Sequence, residues 1–146
     1  MNAEAPSPPP RKLPALTPET EAFWTGGKDG VLLIQRCTSC GFYQHPPLPI
    51  CSACRTETVA PQVVSGKGKV KTYTVNHQQW LPGLAEPFVI AAIELDEQEE
   101  LYVFSNILAP PDEVRSGMRV KVCFEHHEDV WLPMFTPEQG ETGHAG

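Results

Sequence analysis

Short apolar stretches alternate with turn-forming residues through most of the chain. In the stretch 66–77, Val70, Tyr73 and Val75 come close to the two-residue period of a half-buried β-strand. Similar stretches occupy residues 31–36, 59–64, 88–96, 101–108, 118–125 and 130–135. Turn residues separate them and no convincing helix lies between them, so the pattern predicts a small β-barrel or sandwich.

The N-terminal part of the chain carries the signals of one short helix, predicted over residues 17–27. Thr17 is a suitable N-cap, Pro18 fits the first helical position, and a glycine pair ends the segment. The helix includes Phe23 and Trp24. A helix of about two turns is marginal in water, so we expect it to dock against the rest of the protein.

Four of the five cysteines form two Cys-x-x-Cys pairs with ten residues between them: Cys37, Cys40, Cys51 and Cys54. Zinc favours tetrahedral thiolate coordination, and each pair supplies two ligands from one tight turn. We predict a structural zinc site, because four protein ligands leave no position for the water that catalytic zinc keeps. Iron stays open as the metal, since tetrahedral sulfur sites accept it too. Gly41 follows the first pair, where a positive φ is useful.

Charge and composition narrow the classes of partner. The net charge of −7 suits a nucleic-acid backbone poorly, because phosphates are bound mainly through Lys and Arg. Apolar runs such as 88–93 are too short to span a bilayer, so no membrane partner is expected. The start of the chain lacks the features of a signal peptide, and paired cysteines suit a reducing compartment, which predicts a cytoplasmic location. The proline-rich residues 1–16 and residues 137–146 are predicted to be disordered tails.

A loop predicted between two strands, residues 76–87, combines aromatic and aliphatic side chains. Exposed groups of this kind often mark a binding surface, but they can also fold back onto a barrel. Both interpretations stay open here and for the aromatic helix. The candidate contact residues for a partner or an acyl-CoA are Phe23, Trp24, His77, Trp80, Leu81 and Pro82.

Three other features have plain structural interpretations. Lys67, Lys69 and Lys71 share one strand face, which suits either a phosphate, such as that of coenzyme A, or simple solvation. Cys123 has no recognisable base near it in the sequence and is expected to be a half-buried small residue. The histidines at 126–127 are expected in a solvated polar turn.

The combined motifs resemble a known family. An aromatic helix, a strand ending in Cys-x-x-Cys-Gly and a proline-rich spacer come first. A second Cys-x-x-Cys pair, Gly-x-Gly-x-Val at 66–70 and Leu-Pro-x-Phe at 132–135 follow. This order is similar to an acyl-CoA-associated family in which a rubredoxin-like zinc ribbon is joined to an OB-fold. The resemblance implies a mainly β protein: N-terminal helix 17–27, zinc ribbon 28–64 and five-stranded OB-fold barrel 65–136.

The resemblance also implies a role, since family members are small non-catalytic partners of thiolase-like enzymes, acyltransferases or related CoA-thioester enzymes. Residues 75–78, Trp80, the stretch 94–98 and Asn106 look most like one branch. Its zinc-ribbon/OB domain binds a thiolase-like aldolase of bacterial steroid side-chain degradation. That aldolase cleaves a β-hydroxyacyl-CoA and releases propionyl-CoA. The acidic tract 97–100 departs from the glycine turn common in that branch, which leaves this loop undefined.

The resemblance has several further consequences. The four cysteines would be the zinc ligands, no catalytic residue would be present, and a CoA thioester would be contacted through the partner's site. A hot-dog-fold enoyl-CoA hydratase would be a further partner. Three alternatives stay open: an accessory subunit of another thiolase or acyltransferase, a nucleic-acid-binding zinc-ribbon/OB module, and a stand-alone zinc or redox enzyme.

Overall fold

The computed structural model describes residues 11–78 and 87–138. The elements follow in the order α1 (Glu21–Thr25), β1 (Leu32–Cys37), β2 (Tyr43–Gln44), β3 (Val59–Val64), β4 (Lys67–Asn76), β5 (Phe88–Leu95), β6 (Tyr102–Ile107), β7 (Arg119–His127) and β8 (Val130–Pro137). Short 3-10 helices lie at Gly26–Asp29 and Pro111–Glu113. Within these ranges, no helix is long and apolar enough to cross a bilayer.

The strands form a three-stranded ribbon and a closed barrel. In the ribbon the order is β2-β1-β3, with both pairs antiparallel. In the barrel the order is β4-β5-β6-β8-β7, and β4 closes onto β7. The contact between β6 and β8 is parallel, with Ile107 opposite Phe135. This five-stranded order is that of an OB-fold, so the predicted fold class is confirmed.

The hydrophobic alternation located most strands to within a residue or two. The predicted strand 59–64 coincides with β3, and 66–77 brackets β4. Strand β2 was missed, because two residues inside a proline-rich spacer carry no periodic signal. The turn expected at His126 and His127 was wrong, since both residues belong to β7. The ring of His126 stacks on Trp131 of the neighbouring strand β8 at a centroid distance of 4.1 Å.

One hydrophobic core joins the ribbon to the barrel. Leu32 and Ile34 of β1 belong to the same buried cluster as Val70, Ile93 and Phe135 of the barrel. Because the two modules share this core, loss of the ribbon would expose one side of the barrel to water.

A turn with reciprocal hydrogen bonds between Thr17 and Thr20 precedes the N-terminal helix. The hydroxyl of Thr17 accepts a hydrogen bond from the N–H of Thr20 at 3.2 Å, and the hydroxyl of Thr20 accepts one from the N–H of Thr17 at 3.1 Å. This reciprocal pair satisfies backbone donors that a helix start leaves free. A hydrogen-bonded turn therefore starts at Thr17, but the regular helix begins at Glu21 with Thr20 as its N-cap, so the N-cap was predicted three residues too early.

The segment that follows α1 packs tightly on the barrel. A Cβ atom at Gly27 would lie 2.5 Å from Cβ of Trp131 and 2.6 Å from the ring of Phe124. Only glycine permits this approach to strands β7 and β8. The expected docking of the short helix is thus achieved through the turn after it as well as through its own apolar side chains.

Arg11 attaches the chain upstream of the helix to the barrel, within the range predicted as a tail. Its guanidinium forms an ion pair with Glu125, and its Nη1 donates to Oδ1 of Asn106 at 3.1 Å. Glu125 also accepts a hydrogen bond from Nε2 of His127 at 2.8 Å. Although burial raises the pKa of Glu125, the hydrogen bonds from Arg11 and His127 hold it below its usual range.

Side chains of the loop between β5 and β6 connect the ribbon to the barrel by hydrogen bonds to backbone groups. Oε1 of Gln98 accepts from the N–H of Tyr43 at 3.0 Å, and its Nε2 donates to the carbonyl of Tyr43 at 2.8 Å. In the same loop, Glu97 accepts from the N–H of Ser65 at 2.8 Å, at the junction of β3 and β4. The acidic tract 97–100, which the sequence left undefined, therefore connects the two modules. We call its residues Glu97 and Gln98 the clasp.

Replacing Gln98 with Ala is expected to lower the free energy of unfolding by about 1–3 kcal/mol, because two half-buried backbone groups of Tyr43 lose their partners. Urea denaturation gives the stability, and hydrogen exchange of the Tyr43 amide reports the clasp directly. The matched control is Gln62→Ala, at an exposed position on β3. Equal stability and equal Tyr43 exchange in both variants would contradict the role of the clasp.

Candidate metal centre and contact surfaces

The four paired cysteines meet at the end of the ribbon. Their sulfur atoms all lie within 4.8 Å of one another. Sγ of Cys37 lies 3.6 Å from Sγ of Cys54, and Sγ of Cys40 lies 3.7 Å from Sγ of Cys51. A zinc ion bound at about 2.3 Å by four thiolates requires sulfur–sulfur distances of about 3.8 Å. The two individual distances match this value, so the four sulfurs are placed to hold one tetrahedral ion.

Two similar backbone knuckles hold these sulfurs. The N–H of Gly41 donates to the carbonyl of Cys37 at 2.9 Å, and the N–H of Arg55 donates to the carbonyl of Cys51 at 2.8 Å. Both residues that close the knuckles have positive φ, 80° at Gly41 and 68° at Arg55. The positive φ predicted at Gly41 is confirmed, while Arg55 adopts the same conformation without being glycine.

Backbone donors surround the two buried sulfurs. Cys37 Sγ and Cys51 Sγ each accept two N–H groups at 3.3–3.4 Å. The donors are Ser39, Cys40, Ala53 and Cys54. Hydrogen bonds of this kind stabilise a thiolate over a thiol, so the knuckles favour the ionised, metal-binding form of both cysteines.

The pKa values of Cys37 and Cys40 differ because the two thiols have different surroundings. The hydroxyl of Thr58, 3.3 Å away, is the main reason that the pKa of Cys37 is lowered to about 5. At Cys40 the N–H of Phe42 has a lowering effect, yet burial and neighbouring thiols such as Cys51 raise the pKa to about 12. Four thiolates repel one another without a cation, and a divalent metal removes that repulsion.

A glutamine pair connects the second knuckle to strand β2. The buried side chain of Gln44 donates to Gln35 Oε1 at 2.6 Å and to the carbonyl of Ile50 at 2.8 Å. Its Oε1 accepts from the N–H of Ser52 at 2.9 Å. Because Tyr43, the chain neighbour of Gln44, is held by Gln98, two adjacent residues of β2 connect the second knuckle to the barrel. A metal ion held by the knuckles would therefore constrain the position of the ribbon as well as its fold.

The cluster on β7 is an anchor for the N-terminal segment. Cys123, Glu125 and His127 alternate along one strand, but Glu125 takes the hydrogen bonds of both Arg11 and His127. Burial raises the pKa of Cys123, so its thiol stays protonated and is poorly suited to act as a nucleophile. The expectation of a half-buried, structural Cys123 is confirmed.

The predicted contact residues have different surroundings. Phe23 is 7% exposed and belongs to the main core, whereas Trp24 is half-buried and packs against both hydrophobic clusters. His77 is exposed just after β4. Trp80, Leu81 and Pro82 lie outside the described residues. The structure thus places Phe23 in the interior and leaves an edge of Trp24 available.

The lysine face of β4 is exposed as its alternation predicts, and two of its charges are paired. Lys67 lies 3.4 Å from Glu138, and Lys69 lies 3.7 Å from Glu94. These carboxylates compete with any phosphate for the two ammonium groups. Solvation with local ion pairing is therefore the better account of this face than coenzyme A binding.

Sequence reasoning missed an apolar surface beside Trp24. A groove of about 380 Å³ is bounded by α1, the ribbon spacer and β6. We call its apolar rim, made of Trp24, Pro46, Pro47, Tyr102 and Phe104, the junction face. Phe104 is 72% exposed, although its neighbour Val103 is buried. Strict alternation along β6 was the signal that would have placed Phe104 on the outside.

Two family models match this chain, one for each of its modules. Residues 24–60 match the family model described as the ChsH2 rubredoxin-like zinc ribbon domain. Residues 61–125 match the ChsH2 C-terminal OB-fold domain. A solved structure entitled Ltp2-ChsH2(DUF35) aldolase contains a chain that is 32% identical, with a TM-score of 0.75. The match covers 86% of this chain and 98% of that chain.

Curated relatives share the same region. A DUF35 domain-containing scaffold protein of Methanocaldococcus jannaschii is 38% identical over 69% of this chain and 73% of its own length. A 3-oxo-4,17-pregnadiene-20-carboxyl-CoA hydratase alpha subunit of Mycobacterium tuberculosis is 32% identical over 86% of this chain. The chain spans only 40% of the length of that hydratase subunit.

Proposed function

Because this chain belongs to the ChsH2 (DUF35) family of rubredoxin-like zinc-ribbon and OB-fold proteins, we propose that it binds and supports a thiolase-like aldolase. The substrate class proposed for that complex is a steroid β-hydroxyacyl-CoA. The reaction is retro-aldol cleavage, which releases propionyl-CoA and leaves a ketone on the steroid. In this assignment the chain is an accessory domain and performs no chemical step itself.

The observation that carries the proposal is the match of both modules, in one chain, to the ChsH2 component of a solved aldolase structure. The geometry of the metal centre supports it. All four ligand positions come from cysteines, two of them buried, so a bound zinc ion would cross-link the ribbon and activate no water.

Retro-aldol cleavage requires a base that takes the β-hydroxyl proton while the Cα–Cβ bond breaks, and a donor that stabilises the thioester enolate. We assign these groups to the partner. The titratable cluster on β7 of this chain is occupied by its own ion pairs, as described above. The role left for this chain is to complete or stabilise the partner's active assembly, with the CoA thioester contacted through the partner's site.

A second candidate function is that of an accessory subunit of another thiolase or acyltransferase. The relative described as a DUF35 domain-containing scaffold protein favours it. A hot-dog-fold enoyl-CoA hydratase is proposed as a further partner, because a relative is described as a hydratase subunit. Reduced cysteines gathered at one metal centre suit a reducing, cytoplasmic setting. A nucleic-acid role is disfavoured, because β5 and β6, whose outer face binds oligonucleotides in many OB-folds, contain no Lys or Arg.

Co-expression with a thiolase-like aldolase tests the proposed function. We expect the two chains to co-purify and the aldolase to lose at least 90% of its activity, or its solubility, when this chain is omitted. The assay follows propionyl-CoA released from a steroid β-hydroxyacyl-CoA, with a straight-chain β-hydroxyacyl-CoA as the comparison substrate. A fully active aldolase without this chain would exclude the proposal, and activity confined to the straight-chain substrate would favour the second candidate.

A further inference from the structure

The junction face is built from three separate parts of the molecule. Trp24 comes from α1, Pro46 and Pro47 come from the spacer between the knuckles, and Tyr102 and Phe104 come from the barrel. The hydrogen bonds between the β5–β6 loop and β2 fix the ribbon relative to the barrel, and so fix the walls of this groove. A preformed groove needs little ordering when a partner enters it.

The apolar surface continues from the groove onto the outside of the barrel. Phe104 lies opposite Ala92 in the β5–β6 pair, and Ile90 lies diagonal to it on the same face. Phe104 is 72% exposed and Ile90 is 42% exposed. Aromatic side chains at the centre of an apolar patch are the residue type that most often dominates a protein–protein interface.

The charge around the groove is negative. Glu100 lines it, Glu99 precedes Glu100 in the same loop, and neither Lys nor Arg is among the lining residues. His45 also lines the groove, and burial lowers its pKa to about 4, so it adds no positive charge at neutral pH. A CoA molecule, with its phosphates, would be repelled here. A protein segment with an apolar side chain and a neighbouring Lys or Arg would be complementary.

We propose that the junction face is the docking site for the thiolase-like partner, which inserts an apolar or aromatic side chain flanked by a basic residue. This assignment rests on the proposed function and specifies the surface that performs it. Phe104 is the central contact, and Glu100 orients the partner by charge. The zinc site contributes at a distance, because it holds the spacer that forms one wall of the groove.

The test measures the affinity of the purified aldolase for variants of this chain. We expect Phe104→Ala to weaken binding at least tenfold while the zinc content and circular dichroism spectrum stay unchanged. The matched control is Val63→Ala, which truncates another exposed apolar residue, 53% exposed, on β3 of the ribbon. Glu100→Lys is expected to weaken binding about tenfold at low salt, with a smaller difference at high salt.

The outcomes separate this inference from the function on which it rests. If the wild-type chain binds no thiolase-like aldolase, both are overturned. If wild type binds and Phe104→Ala and Glu100→Lys bind equally well, only the docking site is overturned. Sedimentation of the chain alone tests whether a second copy occupies the junction face. Self-association that Phe104→Ala abolishes would assign the face to that second copy. Tighter aldolase binding after deletion of residues 139–146 would assign it to that segment.

Discussion

Replacing Cys51 with Ser is expected to abolish tight metal binding and to unfold the ribbon. Cys51 is fully buried, and its sulfur is one corner of the four-thiolate cluster. Zinc contributes on the order of 10–16 kcal/mol to small structural sites, which is comparable with the whole stability of a typical domain, about 5–15 kcal/mol. Because Leu32 and Ile34 share a core with the barrel, we expect the barrel to lose stability as well.

Metal analysis and circular dichroism of the purified variant make this measurable, and the fifth cysteine supplies the control. Cys123 lies outside the metal cluster, so Cys123→Ser should keep one metal ion per chain and a native spectrum. Chelation of the wild-type protein should reproduce the effect of Cys51→Ser. A metal-free Cys51→Ser protein with an intact ribbon would show that the metal is not structural. A visible thiolate-to-iron absorption band would identify iron in place of zinc.

Replacing Phe135 with Ala is expected to lower the free energy of unfolding by about 3–5 kcal/mol. Phe135 is fully buried and lies where the barrel closes. It pairs with Ile107 of β6 and Val122 of β7, and its carbonyl accepts from the N–H of Leu108 at 2.8 Å. The truncation leaves a cavity at a place where β8 holds both neighbouring strands together.

Urea denaturation of Phe135→Ala and Phe104→Ala compares two phenylalanines in one barrel. Phe104 is mostly exposed, so its truncation should change stability by no more than about 0.5 kcal/mol. A similar cost for both variants would mean that Phe104 is buried in solution, and it would remove the basis for assigning Phe104 to a docking surface. Unchanged stability of Phe135→Ala would contradict the closed barrel.

The features that the sequence predicted well are those encoded locally. The spacing of Cys37, Cys40, Cys51 and Cys54 defines a tetrahedral site without knowledge of the fold, since each pair closes its own turn. Alternation placed the strands because the barrel buries one face of each of them. The helix start predicted near Thr17 is likewise a short-range signal, and the structure shows a hydrogen-bonded turn between Thr17 and Thr20 just before the helix.

The features that the sequence did not predict depend on contacts between distant parts of the chain. The role of Gln98 could not be predicted, because its hydrogen-bond partner, Tyr43, belongs to the ribbon and is distant in the sequence. Arg11 lay in a segment whose composition indicated a tail, yet its partner Glu125 is on β7. Polarity predicts exposure on average, and a specific distant partner reverses that expectation for an individual side chain.

The candidate contact surface illustrates the same limit. Phe23 and Trp24 were predicted as contact residues because they are aromatic and lie on a short helix. The fold buries Phe23 and leaves part of Trp24 accessible. Phe104 was not predicted as a contact residue, because an aromatic residue in a strand suggests a core position. Its exposure follows from its place on β6, where Val103 and Ile107 face the core and Phe104 points to the other side of the strand.

The closed barrel also bears on the order in which the protein folds. Barrel closure is non-local, because Lys67 at the start of β4 must pair with Lys121 of β7. The metal ligands, by contrast, are confined to residues 37–54. Local contacts form sooner than distant ones, since their loop-closure entropy is smaller. Metal capture by the ribbon would therefore come first on the folding path, and it would give β4 a fixed starting point before the last strand arrives.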